Sequence, residues 1–454
     1  MDYNCLDLRN KATTSQTIST VKKPQRIILQ GNECIEGIPE QAYRKRGFRI
    51  PTVHGNIIIS PDDLATGTLL VGATGCGKTT FFLNLLEKII PNMTNKDVMI
   101  IFDSKGDYKQ KFYDPRNPKH IVISVGDKHK DIIKGWNVFG ELTDSQGRFG
   151  EDTELFANEI SKALFNGMES STQPFFNLSS EDIFAKILLS FISEAVSTGD
   201  FSKLNNEEVC KFLCSLSNEK LLNFTGTHDD FKYLKMYVGN GTSTQALGVY
   251  AYLSAMRSRS LISSFRYKQS AGEFSMRKLI REKGGKVVFL EFDINYAETL
   301  ECIYSLFYDL AIKEALSLSD EGSNTYFICD EMNLIPHVTR FEELLNFGRS
   351  KGCKTLIGLQ SISQLNKNYG EDEANSILAG FLTGIFFNTV EIVSRDYVQK
   401  RFGSTLDLYN IGGNNNIING YTVFESDLSR LRVGEAFIDM KGVPPFKTRF
   451  VKNI

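Results

Sequence analysis

Eight consecutive residues, Gly72-Ala-Thr-Gly-Cys-Gly77-Lys78-Thr79, constrain what this chain can fold into more than any other stretch. They fit the spacing G-x-x-x-x-G-K-[ST], and their surroundings fit as well. An apolar run (TLLV, Thr68–Val71) leads in, and an amphipathic run (FFLNLLEKII) leads out along a helix expected over Lys78–Ile90. Small residues let successive backbone N–H groups turn inward, where they cradle phosphate oxygens at a helix N-terminus. The expected phosphate-binding set is therefore Gly72, Ala73, Thr74, Gly75, Cys76, Gly77, Lys78, Thr79 and Thr80. Lys78 would reach the β- and γ-phosphates, and the Thr79 hydroxyl would ligate Mg²⁺. ATP is the expected nucleotide. Phe81 and Phe82, beside the loop, read as core rather than as an adenine-stacking pair.

A phosphate loop of this kind needs an acidic strand end nearby, to hold the metal and to activate the attacking water. Two apolar runs end in carboxylates: VMIIF (98–102) before Asp103, and TYFIC (325–329) before Asp330-Glu331. The second is preferred because it offers two adjacent carboxylates, Asp330 for Mg²⁺ and Glu331 as general base. Gln360 directly follows the next apolar run, TLIGL (355–359), and is placed to hydrogen-bond the γ-phosphate or the attacking water.

Around these motifs the chain alternates strand and helix. Short strands are expected at 121–124, 286–292 and 382–387, and helices at 296–316, 339–351, 363–369 and 391–402. An unalternating run such as YFIC fits a strand covered on both faces. Between about 152 and 270 only helical spacing appears (151–165, 181–197, 206–215, 243–263), so this stretch reads as an all-α insertion. The expected fold class is α/β, with a mostly parallel central sheet flanked by helices. The Gly/Asn-rich stretch Ile411–Gly420 reads as a surface loop or hairpin connection. Residues 1–50 read as a solvated lead-in, with basic clusters at Lys22, Lys23 and Arg26 and at Arg44, Lys45, Arg46 and Arg49.

Composition excludes several classes. A net charge of −2 argues against a wholly basic nucleic-acid binder, though not against a basic groove. No apolar run approaches the roughly 18 residues that would cross a bilayer, and the N-terminus carries no signal-peptide core. The eight cysteines are scattered; Cys210 and Cys214 lack the second pair or histidines of a zinc site, and all are expected to be reduced thiols of a cytoplasmic protein. Cys76, inside the phosphate loop, is the one expected to be open to oxidation. No two of the five histidines (His54, His120, His129, His228, His337) stand at metal-ligand spacing.

Several segments together resemble one family. IFDSKGDY (101–108), WNVFGEL (136–142), QPFFNLSSEDIFAKILL (173–189), LNFGRSKGCKTLIGLQSISQLNKNYG (345–370), SRDYVQKRFG (394–403) and LSRLRVGEAFIDMKGVPPFK (428–447) are similar to type IV secretion coupling proteins. These are the conjugative DNA-transfer ATPases of the FtsK/HerA branch of RecA-like motors. The resemblance runs from about residue 50 to the C-terminus. It implies a RecA-like nucleotide-binding domain (51–151 and 271–454) carrying the all-α domain (152–270), after the lead-in 1–50.

It also implies a homo-hexamer that pumps DNA by ATP hydrolysis and couples a nucleoprotein substrate to a secretion channel. A relaxase or other secretion substrate and a membrane channel component would be partners. In such rings a neighbouring subunit supplies an arginine to the γ-phosphate, and Arg349 holds the corresponding place. The resemblance departs at both ends, where the family's membrane-spanning helices and long acidic tail have no counterpart. A cytoplasmic chain, peripheral at the inner face of the membrane through a separate membrane anchor, is the expectation. Related motors in segregation, packaging or defence, and a nucleotide-gated protein adaptor that does not move DNA, are the alternatives.

Overall fold

A computed structural model of the chain describes residues 26–44, 46–124, 133–144, 146–165, 174–226, 229–259, 271–318, 322–335, 337–411 and 414–452. Lys22, Lys23, Lys45, His129 and His228 lie outside the described residues, as do 260–263 at the end of one expected helix.

A ten-stranded sheet organises the molecule. From edge to edge it runs Ile35–Glu36, Val443–Arg449, Glu435–Met440, Thr383–Phe387, Thr68–Val71, Cys353–Leu359, Asn324–Cys329, Asp97–Asp103, Lys286–Glu291 and His120–Ile123. The seven strands from Thr383–Phe387 to His120–Ile123 are mutually parallel. Glu435–Met440 is antiparallel to both neighbours. The sheet belongs to the α/β class, mostly parallel, as the sequence implies.

Strict alternation of side chains divides the core in two. Val98, Ile100 and Phe102 join one apolar cluster, which includes Ile160, Phe184 and Leu188 of the helical segment. Met99 and Ile101 join the opposite cluster, with Leu85, Leu86 and Ile89 of the helix after the phosphate loop. Each central strand is thus apolar on both sides, which is why its sequence shows no alternation. Phe81 and Phe82 are fully buried in the second cluster, with Phe81 edge-on to Phe450 at 5.1 Å.

Helices Thr153–Phe165, Pro174–Thr198, Asn206–Ser215, Asn218–Phe224 and Thr244–Arg259 leave the sheet between strands. A short parallel ladder pairs Gly135–Trp136, before these helices, with Glu273–Phe274 after them. Glu141, fully buried, secures that junction. Its carboxylate accepts hydrogen bonds from Trp136 Nε1 (3.0 Å), Ser275 Oγ (2.8 Å), Met276 N (2.6 Å) and Arg277 N (3.2 Å).

Three regions differ from expectation. The Asn/Gly-rich stretch is a strand, Asn414–Tyr421, paired in a hairpin with Ser404–Ile411; residues 412–413 lie outside the described residues. Arg26–Gln30 adds a third strand, and its Arg26 guanidinium binds the buried Asp407 carboxylate (2.9 Å). Residues 26–50 therefore pair with strands near the C-terminus and with Gly55–Ile59 rather than simply leading in. The expected helix 339–351 is an α-helix only over Phe341–Phe347, followed by a 3₁₀ turn at Gly348–Lys351.

Candidate active site

The phosphate loop leaves the carboxyl end of Thr68–Val71 and enters the helix Lys78–Ile89. Gly77 caps that helix in the left-handed region (φ 117°), a conformation that glycine adopts without strain. A Cβ on Gly72 would lie 2.7 Å from both Cys76 Sγ and Phe387 Cβ, so this position has room only for hydrogen. Long-range backbone contacts hold the loop in shape: Ala73 N donates to Asn388 O (2.8 Å), and Gly434 N donates to Cys76 O (2.8 Å). Asn388 is itself fixed, its Nδ2 donating to Ser429 O and Leu431 O at 2.9 Å each. Lys78 is buried and folds across the loop, donating from Nζ to Gly72 O at 2.5 Å. Thr74 and Gly75 are exposed at the loop tip, and Thr79 and Thr80 are half-buried on the first helical turn.

The acidic pair lies two strands away. Between Thr68–Val71 and Asn324–Cys329 runs Cys353–Leu359, whose end carries Gln360. Strand order alone therefore sets Gln360 between the phosphate loop and Asp330-Glu331. A Cβ on Gly358 would come 2.2 Å from Asp330 O, so glycine there lets the two strand ends approach.

Thr79 Oγ1 donates to Asp330 Oδ2 (2.7 Å) across that gap. Tyr108 OH donates to the same oxygen (2.7 Å), while Asp330 Oδ1 is buried and has no hydrogen-bond partner. A buried carboxylate oxygen without a donor, beside a threonine hydroxyl, fits a hard divalent cation such as Mg²⁺. Gln360 Nε2 donates to Glu331 Oε2 (2.6 Å). Burial pushes the Glu331 carboxyl above its usual range, opposed by the Gln360 hydrogen bond and the Lys78 charge. That direction suits a base that must take a proton near neutrality.

Of the sequence candidates, the structure brings together the loop 72–80, Asp330, Glu331 and Gln360. It does not bring Arg349 to them. Arg349 lies at the amino end of the strand Cys353–Leu359, the opposite sheet edge from the phosphate loop, where it pairs with Asp62 (2.9 Å). Asp103, the other acidic strand end, is committed elsewhere: its Oδ2 accepts from Lys109 N (2.8 Å), holding the turn that presents Tyr108. Burial raises the Cys76 thiol above its ordinary value, which keeps it protonated and slow to oxidise.

Tyr108, Asn388 and Gly434 are the residues that sequence reasoning missed. Tyr108 stands in the segment IFDSKGDY and Gly434 in LSRLRVGEAFIDMKGVPPFK, so a signal was present for both; for Asn388, which acts through a backbone contact made at long range, there was none.

Comparisons with known proteins agree with this architecture. A family profile described as the type IV secretion-system coupling protein DNA-binding domain matches residues 51–427. Coupling protein TraD of Escherichia coli (strain K12) is 23% identical over 349 residues, which is 74% of this chain and 43% of that protein, so the chain spans less than half of that relative's length. Among solved structures, the unbound monoclinic form of the bacterial conjugative coupling protein TrwBdeltaN70 superposes with a TM-score of 0.75 at 17% identity, covering 94% of each chain. TrwB with the ATP analogue ADPNP gives 0.73 at 17% identity, over 94% of this chain and 95% of that one. VirB4 of Thermoanaerobacter pseudethanolicus gives 0.51 at 11%, over 94% and 98%. By the profile match, which takes in the phosphate loop, the acidic pair and the helical segment alike, the chain belongs to the type IV secretion-system coupling protein family.

Proposed function

We propose that this chain is an ATP-hydrolysing motor that translocates DNA and couples a nucleoprotein substrate to a type IV secretion channel. The observation that carries this reading is the Thr79–Asp330 hydrogen bond across the sheet, with Asp330 Oδ1 left open beside it. Solved structures of the neighbour TrwB in complex with ADPNP, and with ADP and Mg²⁺, support ATP and Mg²⁺ as cofactors here.

In this reading Thr79 and Asp330 would hold Mg²⁺, which would supply charge neutralisation of the phosphates. The backbone of 72–77 and Lys78 bind the triphosphate. Thr80 completes the phosphate contacts from the first helical turn. Glu331 takes the proton of the attacking water, and Gln360 holds Glu331 in place and senses the γ-phosphate. Arg349 completes the site of a neighbouring subunit in a hexamer. DNA contacts are to phosphates and independent of sequence.

The reading keeps the division into a lead-in (1–50), a RecA-like nucleotide-binding domain (51–151 and 271–454) and an all-α domain (152–270). The ladder at Gly135–Trp136 and Glu273–Phe274, where the chain leaves the sheet and returns to it, supports that division. A relaxase or other secretion substrate and a membrane channel component or separate membrane anchor are the proposed partners, with the chain cytoplasmic and peripheral at the inner face of the membrane. No helix among the described residues is long and apolar enough to cross a membrane.

The test is ATP turnover with and without single- or double-stranded DNA, at protein concentrations high enough to form rings. DNA should raise turnover several-fold in the wild type. Glu331→Gln should bind ATP but lose about 10²–10⁴-fold in rate, the usual worth of a general base. Turnover indifferent to DNA at every concentration would refute the motor.

A further inference from the structure

Beside the acidic pair, on the side away from the phosphate loop, the carboxyl ends of the strands enclose a second cleft of about 310 Å³. Its position follows from strand order. The phosphate loop follows Thr68–Val71; the cleft begins one strand further on, at Gln360 and Glu331, and continues past Lys105 to Ile294, after Lys286–Glu291. In open α/β sheets, ligands bind outside the carboxyl ends of the strands. This chain has two such places in a row.

The lining is cationic and rich in amides. Lys105 and Lys367 are both exposed at the cleft, and among the described residues neither forms an ion pair with a carboxylate. By contrast, Lys109 pairs with Glu291 (2.6 Å) and Lys313 with Glu159 (2.5 Å). The same cleft is lined by Asn333, Gln364 and Asn368. Asn333 Nδ2 donates to Gln364 Oε1 (2.7 Å), while Asn333 Oδ1 is buried without a partner. Two exposed ammonium groups with uncharged amides, Lys105 lying also in the field of the Glu331 carboxylate, suit a ligand with repeated single negative charges and hydrogen-bonding groups between them, which describes a nucleic-acid backbone.

We infer that this cleft is a DNA-backbone site, with Lys105 and Lys367 on phosphates. The inference rests on the DNA-translocation reading and adds to it the place of contact. Lys367 and Asn368 belong to the helix Ile362–Tyr369, which starts two residues after Gln360. Gln360 in turn holds Glu331. A strand of DNA drawn into the cleft therefore pulls on the helix joined to the residue that positions the general base, so DNA occupancy and hydrolysis share one rigid element.

The experiment measures binding of the full chain to labelled single- and double-stranded DNA by fluorescence anisotropy, between about 50 and 200 mM salt, with ADPNP present. Each lysine neutralising a phosphate adds about 0.7 to the salt slope on single strands and about 0.9 on duplex. The double variant K105Q/K367Q should lower the slope by roughly 1.4 or 1.8 and weaken affinity about tenfold or more, for every sequence alike. The K105R/K367R variant should keep the wild-type slope. So should K441Q, because Lys441 lies on the exposed turn between the two antiparallel strands, at the opposite edge of the sheet.

A wild type that binds no DNA would end the translocation reading itself. A wild type that binds DNA, with an unchanged slope in K105Q/K367Q, would overturn the cleft assignment alone. A shift in sedimentation with the DNA slope intact would overturn it too, marking the cleft as a contact between subunits. An equal loss in K441Q would reduce the effect to overall charge and likewise overturn it.

Discussion

Glu331 concentrates the electrostatic cost of the site in one residue. Its carboxyl is 5% exposed, receives one neutral hydrogen bond from Gln360, and is raised above its unfolded value chiefly by burial. A raised carboxyl binds its proton more tightly in the folded state. The associated stability is present in full at low pH and is lost as pH rises from the ordinary glutamate value through the folded one. Glu331→Gln removes that loss and keeps an oxygen to accept from Gln360. The variant should therefore melt at the same temperature as wild type near pH 4 and above it at pH 8, with the gap opening through the weakly acid range and then holding constant. A gap independent of pH would show that Glu331 is not the group that titrates. Because the same proton is the one a general base must release before it acts, the acid limb of the wild-type rate profile should fall in that window as well.

At the scale of elements, the junction of sheet and helices depends on a carboxylate that performs no chemistry. Glu141 accepts from four donors, two on each oxygen, and three of them belong to Ser275, Met276 and Arg277 at the start of the helix Met276–Glu282. Glu141→Gln turns one oxygen into a donor facing two other donors. With buried donors left unsatisfied at about 1–3 kcal/mol each, the variant should lose about 2–5 kcal/mol in urea denaturation while binding nucleotide as wild type does. A loss under about 0.5 kcal/mol would mean the junction is held by packing alone.

These two cases also mark what was legible in the sequence. Strands buried on both faces announce themselves as unbroken apolar runs, and the residues directly after them (Asp330, Gln360) are the chemistry, so both the central sheet and most of the site were readable from local pattern. Asn414–Tyr421 was not, because Asn and Gly disfavour strands and this one is held by its pairing with Ser404–Ile411. Asn388 acts on the phosphate loop through a main-chain atom more than 300 residues away in sequence, and such a contact leaves no residue-type signal. The segments IFDSKGDY and WNVFGEL resemble the family by residue pattern, and the structure supplies their physics: the first carries Tyr108 to Asp330, and the second carries Glu141 to the junction.

Over the whole molecule, the proposed donor to the nucleotide site, Arg349, lies in its own chain at the opposite end of the strands from the phosphate loop. Its partner there, Asp62, is 61% exposed, and Arg349 itself is 56% exposed. An ion pair that open to water contributes little and is readily exchanged for another anion. If Arg349 serves a neighbour, each active site is built from two subunits and the defects of two variants complement each other. Arg349→Ala subunits keep an intact phosphate loop; Lys78→Ala subunits keep an intact Arg349. Each variant alone should turn over ATP about 10³-fold or more slowly than wild type, the scale on which such arginines act. Mixed one to one in a ring, about one interface in four joins a sound loop to a sound arginine, so turnover should recover toward roughly a quarter of wild type where sites act independently. Recovery depends on rings, and dilution below the assembly concentration should abolish it. Mixtures as slow as either parent under ring-forming conditions would confine Arg349 to its own chain and return it to a surface pair with Asp62.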